Sequence, residues 1–144
     1  MNTPIAHMPG VSFHHLGLLT DEPELAITAL VFLGYTVAGP VYDPLQDVDL
    51  RMAQGPVESA RIEVITPRAE LSGLGKLLRR RGDYMYHSCF TVRDLDATLA
   101  GMRAVGLRII TVSESKPAVL FDGDRVSFHS VAGLGLIEFI EHAD

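Results

Sequence analysis

The chain has 144 residues, of which 47% are hydrophobic and 21% are charged, so it can bury a core and does not have the composition of a disordered chain. A net charge of −6 argues against a nucleic acid or an anionic membrane as the main partner, and no apolar run approaches the roughly 20 residues that a membrane helix needs. The lone cysteine, Cys89, cannot form an internal disulfide, so we expect a cytoplasmic protein.

The first half of the chain predicts a strand, a helix and three further strands. Alternating apolar residues favour a strand over 13–19, and the residues that follow predict a helix that Asp21 caps and Gly34 ends. Turn residues then separate three strand-like runs, at about 35–41, 48–53 and 60–66.

The second half repeats this order after a linker with a short helix that ends at Gly82. A strand over 85–92 precedes a helix that Asp94 caps and Gly106 ends, and three strands follow at about 107–113, 125–131 and 135–141. We therefore expect an N-terminal extension and two βαβββ modules around a linker helix, with bounds 1–10, 11–67, 68–82 and 83–144.

The two predicted modules carry the same marker residues at constant spacing. His15 and His87 occupy the two predicted first strands and lie 72 residues apart, and Gly34 and Gly106 have the same separation. A duplicated unit of this kind can build one pocket from two half-sites, so residues at equivalent places are expected to converge.

A glutamate stands late in each module, at Glu63 and Glu138, with apolar residues on both sides. A carboxylate in such surroundings is costly to bury unless it is paired or coordinated, and strand alternation points it away from its apolar neighbours. Together with His15 and His87, the two glutamates form a suitable ligand set for one divalent ion of Zn, Co, Ni, Mn or Fe.

This arrangement resembles the vicinal oxygen chelate superfamily, also called the glyoxalase/bleomycin resistance/dioxygenase superfamily, over residues 11–142. The resemblance implies an α+β fold in which two tandem βαβββ modules form a curved, partly open mixed sheet around a metal cleft. It also implies a homodimer and four metal ligands: His15, Glu63, His87 and Glu138.

Within the superfamily the chain is similar to the methylmalonyl-CoA epimerases, in the linker segment 74–82, the helix start 92–97 and the final strand at 136–138. That family has Gln where Glu63 stands, and the segment 114–123 is poorly matched. A second catalytic base of the family falls on Asp49 after a one-residue gap and on Leu50 without the gap.

The resemblance implies a metal-dependent epimerase or isomerase that acts on a small molecule, such as an acyl-CoA, through an enolate. Glu138 and Asp49 would then exchange the proton on the two faces of the substrate. Arg51 and Arg125 are candidates to hold a substrate carboxylate.

Several other side chains have a structural and a functional interpretation. Four cations lie near the end of the linker helix: Lys76, Arg79, Arg80 and Arg81. They either contact coenzyme A phosphates or form a solvated helix terminus, and we favour the solvated terminus. Cys89 is expected to fill the core, and His129 and His142, which have no counterpart in the repeat, to lie at the surface or at strand ends.

Three alternatives remain within the superfamily. A glyoxalase I-type lyase uses the same enolate chemistry, and this ligand set suits it equally well. A non-catalytic antibiotic-binding protein would favour aromatic pocket walls, yet the chain has no Trp and only 7% aromatic residues. An iron-dependent ring-cleaving dioxygenase is disfavoured because a fourth ligand would obstruct the open positions that oxygen needs.

Overall fold

The computed structural model describes residues 5–142, which leaves residues 1–4 of the predicted N-terminal extension outside the described part. The described elements are nine strands, three α-helices and a short 3-10 helix at Val119–Phe121. In chain order they are β1 (Ser12–Leu19), α1 (Pro23–Phe32), β2 (Thr36–Val37), β3 (Val41–Asp43), β4 (Val48–Gln54), β5 (Ile62–Pro67), α2 (Gly73–Arg81), β6 (Tyr84–Val92), α3 (Leu95–Ala104), β7 (Ile109–Pro117), β8 (Arg125–Val131) and β9 (Gly135–Glu141). The predicted α+β class is confirmed.

The described chain divides into two compact units. The N-terminal unit holds residues 15–87 and 119–122, and the C-terminal unit holds residues 5–14, 88–118 and 123–142. The α-helices among residues 5–142 have at most ten residues, and none has the length and apolar run that crossing a membrane requires.

In the N-terminal unit the strands follow the order β2-β4-β5-β1, with β3 beside β4. Strand β5 runs parallel to β1, where Gly17 pairs with Glu63, and antiparallel to β4, where Met52 pairs with Glu63. Helix α1 covers one face of this sheet through an apolar core of Leu30, Ala53, Ile62 and Val64. Burial of each large apolar side chain contributes about 1.5–3 kcal/mol, and Glu63 is left on the opposite face.

In the C-terminal unit the order is β6-β9-β8-β7. Strand β9 is parallel to β6, where Cys89 pairs with Glu138, and antiparallel to β8, where Phe128 pairs with Glu138. Helix α3 packs on the face of this sheet opposite Glu138, in a core of Val92, Leu99, Val131, Ile137 and Phe139. Cys89 is fully buried, as predicted.

The duplication inferred from the sequence extends to the strand register. In each parallel pair the residue two places after the histidine stands beside the glutamate: Gly17, after His15, pairs with Glu63, and Cys89, after His87, pairs with Glu138. The repeated spacing therefore corresponds to a repeated structural position.

Local signals predicted most of the helix ends. Asp94 caps α3 by accepting a hydrogen bond of 2.9 Å from the backbone N–H of Ala97, and Gly34 and Gly106 follow their helices with φ of 101° and 92°, in the region that favours glycine. The predicted Asp21 cap is wrong, because α1 begins after Glu22 and has no side-chain cap.

The predicted strand over 35–41 is divided into the short strands β2 and β3. Gly39 and Pro40 separate them, and the break has a simple cause, since proline has no N–H to donate to a ladder and glycine weakens a strand interior. The predicted strands 125–131 and 135–141 coincide with β8 and β9.

The expectation that His129 lies at the surface is wrong, since its side chain is buried in the C-terminal unit with 1% exposure. Its Nδ1 lies 3.0 Å from the Thr111 hydroxyl and its Nε2 lies 2.8 Å from the Ser127 hydroxyl, so the ring is held inside by hydrogen bonds that suit a neutral imidazole. Burial lowers the pKa of His129.

This lowered pKa predicts a loss of stability in acid. As the pH falls through about 6.5, the unfolded chain takes up a proton at position 129 that the folded chain resists, so the free energy of unfolding decreases down to the folded pKa. Urea unfolding from pH 7.5 to 5.0 should show a smaller decrease for His129→Gln than for the natural chain. His7→Gln, which removes an exposed imidazole, is the control; identical pH dependence for all three proteins would contradict the assignment.

Candidate metal centre

Three of the predicted ligands lie together in the N-terminal unit. The Nε2 atoms of His15 and His87 are 3.3 Å apart, and Nε2 of His15 is 3.6 Å from Oε1 of Glu63. One donor atom from each side chain lies within 4.8 Å of the others. The side chains are buried, with exposures of 0% for His15 and 4% for each of the other two residues.

Strand pairing explains this arrangement. Alternation along β1 places His15 and Gly17 on one face, and the parallel register sets Glu63 of β5 beside Gly17. The carboxylate therefore reaches the face that carries the His15 ring. Met52 pairs with Glu63 from the other side, so an apolar side chain of β4 flanks the carboxylate.

The donor set and its spacing fit a divalent metal ion. Two donor atoms that each lie about 2.1 Å from a tetrahedrally coordinated ion are about 3.4 Å apart, and the observed separations are 3.3 and 3.6 Å. Two imidazoles and a carboxylate suit Zn, Co, Ni, Mn or Fe, and a bound cation would compensate the buried charge of Glu63.

Two further residues of the N-terminal unit shape the surroundings of the imidazoles. The ring of Phe121, on the 3-10 helix, stacks on His15 with ring centroids 5.7 Å apart and an interplanar angle of 24°. A Cβ placed on Gly17 would overlap the His87 imidazole. Neither role is predictable from the sequence, because the segment that carries Phe121 has no periodic pattern and a close approach of this kind leaves no signal at Gly17.

Glu138 lies in the C-terminal unit with 3% exposure. Its strand neighbours are Cys89 on β6 and Phe128 on β8, so its side chain is on the face opposite α3. This is the orientation that the alternating pattern predicted.

The structure does not bring Asp49 or Arg51 to the imidazoles. Met52 pairs with Glu63 and shares its face. Alternation along β4 therefore puts Asp49 and Arg51 on the opposite side, which α1 covers. Arg51 instead lies 3.6 Å from Glu24 of α1.

The Asp49 carboxylate is held by Arg68, whose Nε and Nη2 donate hydrogen bonds of 3.1 and 2.9 Å to its two oxygens. These hydrogen bonds lower the pKa of Asp49. Arg68 also stacks over the ring of Tyr42 at 3.9 Å, so the group has the contacts of a structural surface cluster.

Arg125 is likewise not on the face of Glu138. Alternation along β8 gives it the same side as His129, which belongs to the face that α3 covers, and its guanidinium donates to the hydroxyl and the carbonyl of Ser115 at 2.8 Å. The four cations of the linker segment are exposed on or at the end of α2, where Arg81 stacks over Tyr84 at 4.6 Å.

Solved structures with the same fold include methylmalonyl-CoA epimerase from Mycobacterium tuberculosis, with 25% sequence identity, a TM-score of 0.72 and coverage of 92% of this chain and 88% of that chain. A hypothetical protein from Bacillus halodurans is 20% identical, with a TM-score of 0.75 over 93% of this chain and 96% of that chain. A Streptomyces coelicolor methylmalonyl-CoA epimerase in complex with 2-nitronate-propionyl-CoA is 22% identical, with a TM-score of 0.68 over 92% and 94% of the two chains.

No curated protein matches this chain in sequence. Residues 14–128 match the family described as the glyoxalase/bleomycin resistance protein/dioxygenase superfamily, and this range includes three of the four predicted ligands. The chain therefore belongs to the glyoxalase/bleomycin resistance protein/dioxygenase superfamily.

Proposed function

We propose that the chain is a metal-dependent isomerase or epimerase that removes a proton next to a carbonyl group and passes through an enolate. The observation that carries this proposal is the buried group of His15, Glu63 and His87, whose donor atoms have the spacing of ligands to one ion. A carboxylate is costly to bury, and a cation bound by all three side chains would compensate the charge of Glu63.

Glu138 completes the proposed ligand set. Two observations support this role: its position opposite Cys89 repeats the position of Glu63 opposite Gly17, and alternation along β6 gives Cys89 and His87 the same face. Two carboxylates and two neutral imidazoles would balance both charges of a divalent cation, which lowers the cost of burying it.

A divalent ion held by these residues would supply Lewis acidity toward a substrate carbonyl and its developing negative charge. The chain supplies the rest of the chemistry. His15, His87 and Glu63 hold their donor atoms in place, burial excludes water, and a carboxylate oxygen of Glu138 takes the proton from the carbon between the activating groups and returns it.

Strands β3 and β4 do not present a second free carboxylate beside Glu63. The β4 side chains on that face are Val48, Leu50, Met52 and Gln54, so none is a carboxylate, and Asp49 points the other way. Asp43 of β3 shares the face, but its oxygens accept hydrogen bonds from the Leu45 N–H and the Gln46 amide.

This arrangement favours a second candidate, a glyoxalase I-type lyase acting on a hemithioacetal. Inversion at a carbon atom usually needs a base on each face of the substrate. A proton shift between two adjacent carbon atoms can instead be carried out by one carboxylate that takes the proton from one and returns it to the other. Leu50 stands where the ungapped resemblance puts the second base, which supports a one-base reaction.

For the epimerase candidate the substrate would be an acyl-CoA, a class that some structural neighbours bind, since one is a methylmalonyl-CoA epimerase in complex with methylmalonyl-CoA. The exposed cations of α2 would then be available to coenzyme A phosphates. A cytoplasmic homodimer belongs to the same proposal.

Metal binding is the first prediction. Protein purified without chelator should contain about one divalent ion per chain by elemental analysis, because three buried donors already have the required spacing. His15→Ala and His87→Ala should each weaken zinc affinity by at least the roughly 10- to 100-fold that loss of an outer-shell partner costs. His7→Ala is the control. Near-zero metal in the natural chain would instead favour the non-catalytic binding protein.

The roles of the carboxylates give a second prediction. Glu138→Gln should reduce turnover by about 10²- to 10⁴-fold, the usual contribution of a general base, while Asp49→Asn should stay within about twofold because Asp49 faces away from the ligands. The measurements are exchange of the α-proton with deuterated water for a panel of acyl-CoA compounds, and hemithioacetal isomerisation.

The substrate class that reacts decides between epimerase and lyase. Full turnover and full metal content in Glu138→Gln would contradict the role of Glu138. A loss in Asp49→Asn as large as that in Glu138→Gln would restore the two-base mechanism.

A further inference from the structure

Gly17 lies directly beneath the imidazole of His87. A Cβ built on Gly17 would stand 2.7 Å from Nε2 of that ring and closer still to two other ring atoms, whereas real Cβ contacts essentially never fall below 3.0 Å. The backbone of Gly17 does not have the positive φ that favours glycine, so the requirement here is for space.

We propose that Gly17 is a positioning residue of the metal centre, because its missing side chain allows the His87 ring to lie against β1 with Nε2 3.3 Å from Nε2 of His15. This inference rests on the proposed function in so far as it assigns the two imidazoles to one ion. Any side chain at position 17 would have to displace the ring, since the atoms it would meet are those of the imidazole.

The ring has little room to move elsewhere. His87 is 4% exposed, the Tyr86 ring packs edge-on against it at 4.6 Å, and the His15 ring does so at 5.4 Å. Displacement would therefore change the distance between the two Nε2 atoms, and the damage would fall on metal binding more than on the strand.

The second module shows that the glycine is not needed for strand pairing. Cys89 occupies the equivalent place two residues after His87, and it pairs with Glu138 in the register in which Gly17 pairs with Glu63. A parallel pair of this register thus accepts a side chain. What differs at position 17 is the imidazole that covers it.

The test compares Gly17→Ala with Gly39→Ala. Position 39 is the matched control because no atom lies within 4 Å of a Cβ built there and its φ is not in the left-handed region. Zinc affinity, measured by competition with a chromogenic chelator, should weaken about 10- to 100-fold in Gly17→Ala and stay unchanged in Gly39→Ala. Unchanged zinc affinity in Gly17→Ala would overturn the proposal.

A double-mutant cycle in EDTA separates the contact from metal binding. Gly17→Ala should lower the urea midpoint when His87 is present and leave it unchanged in a His87→Ala background, because the ring that it overlaps is gone. An equal loss in both backgrounds would overturn the proposal.

If Gly17→Ala does not fold, folding of the double variant supports the proposal and failure of the double variant overturns it. The two proposals also fail in different ways. A natural chain that binds no zinc contradicts the proposed function, whereas the cycle in EDTA decides the contact between Gly17 and His87 without any metal.

Discussion

The burial of Glu63 beside two imidazoles is the constraint on which the site depends. A carboxylate at 4% exposure is unfavourable in a protein interior unless neighbouring groups compensate its charge. His15 lies 3.6 Å away and His87 points its Nε2 at the same region, so a cation bound by all three would supply the compensation. These buried polar side chains differ from the apolar core that packs under α1.

In each unit the two faces of the strands carry different kinds of side chain. One face packs on a helix, α1 or α3, through apolar residues, and the other carries the ligand-type side chains. The same division explains why Asp49 and Arg125 are not on the ligand faces. Each is an ordinary charged residue of the helix-covered side, held at the surface by a neighbouring side chain or backbone group.

The duplicated spacing was sufficient to predict that His15, His87 and Glu63 lie close together, because a repeated register places equivalent residues on equivalent faces. It was insufficient for Asp49. Shifting the match to the related family by one residue exchanges Asp49 for Leu50, and neighbouring residues of a strand point to opposite faces. The burial of His129 follows from packing under α3, which no local pattern reports, and Phe121 lies in a segment without periodicity. Helix ends were predictable where a short-range hydrogen bond or a glycine decides them, as at Asp94 and Gly106.

The most direct test of the account is the position of the metal in crystals grown with zinc. Anomalous difference density recorded at the zinc absorption edge should show one strong peak within bonding distance of both Nε2 atoms and of the Glu63 carboxylate, with about 2.0–2.2 Å to each donor. A peak that lies elsewhere, or the absence of a peak at zinc concentrations that saturate binding in solution, would contradict the assignment of these three side chains to one ion.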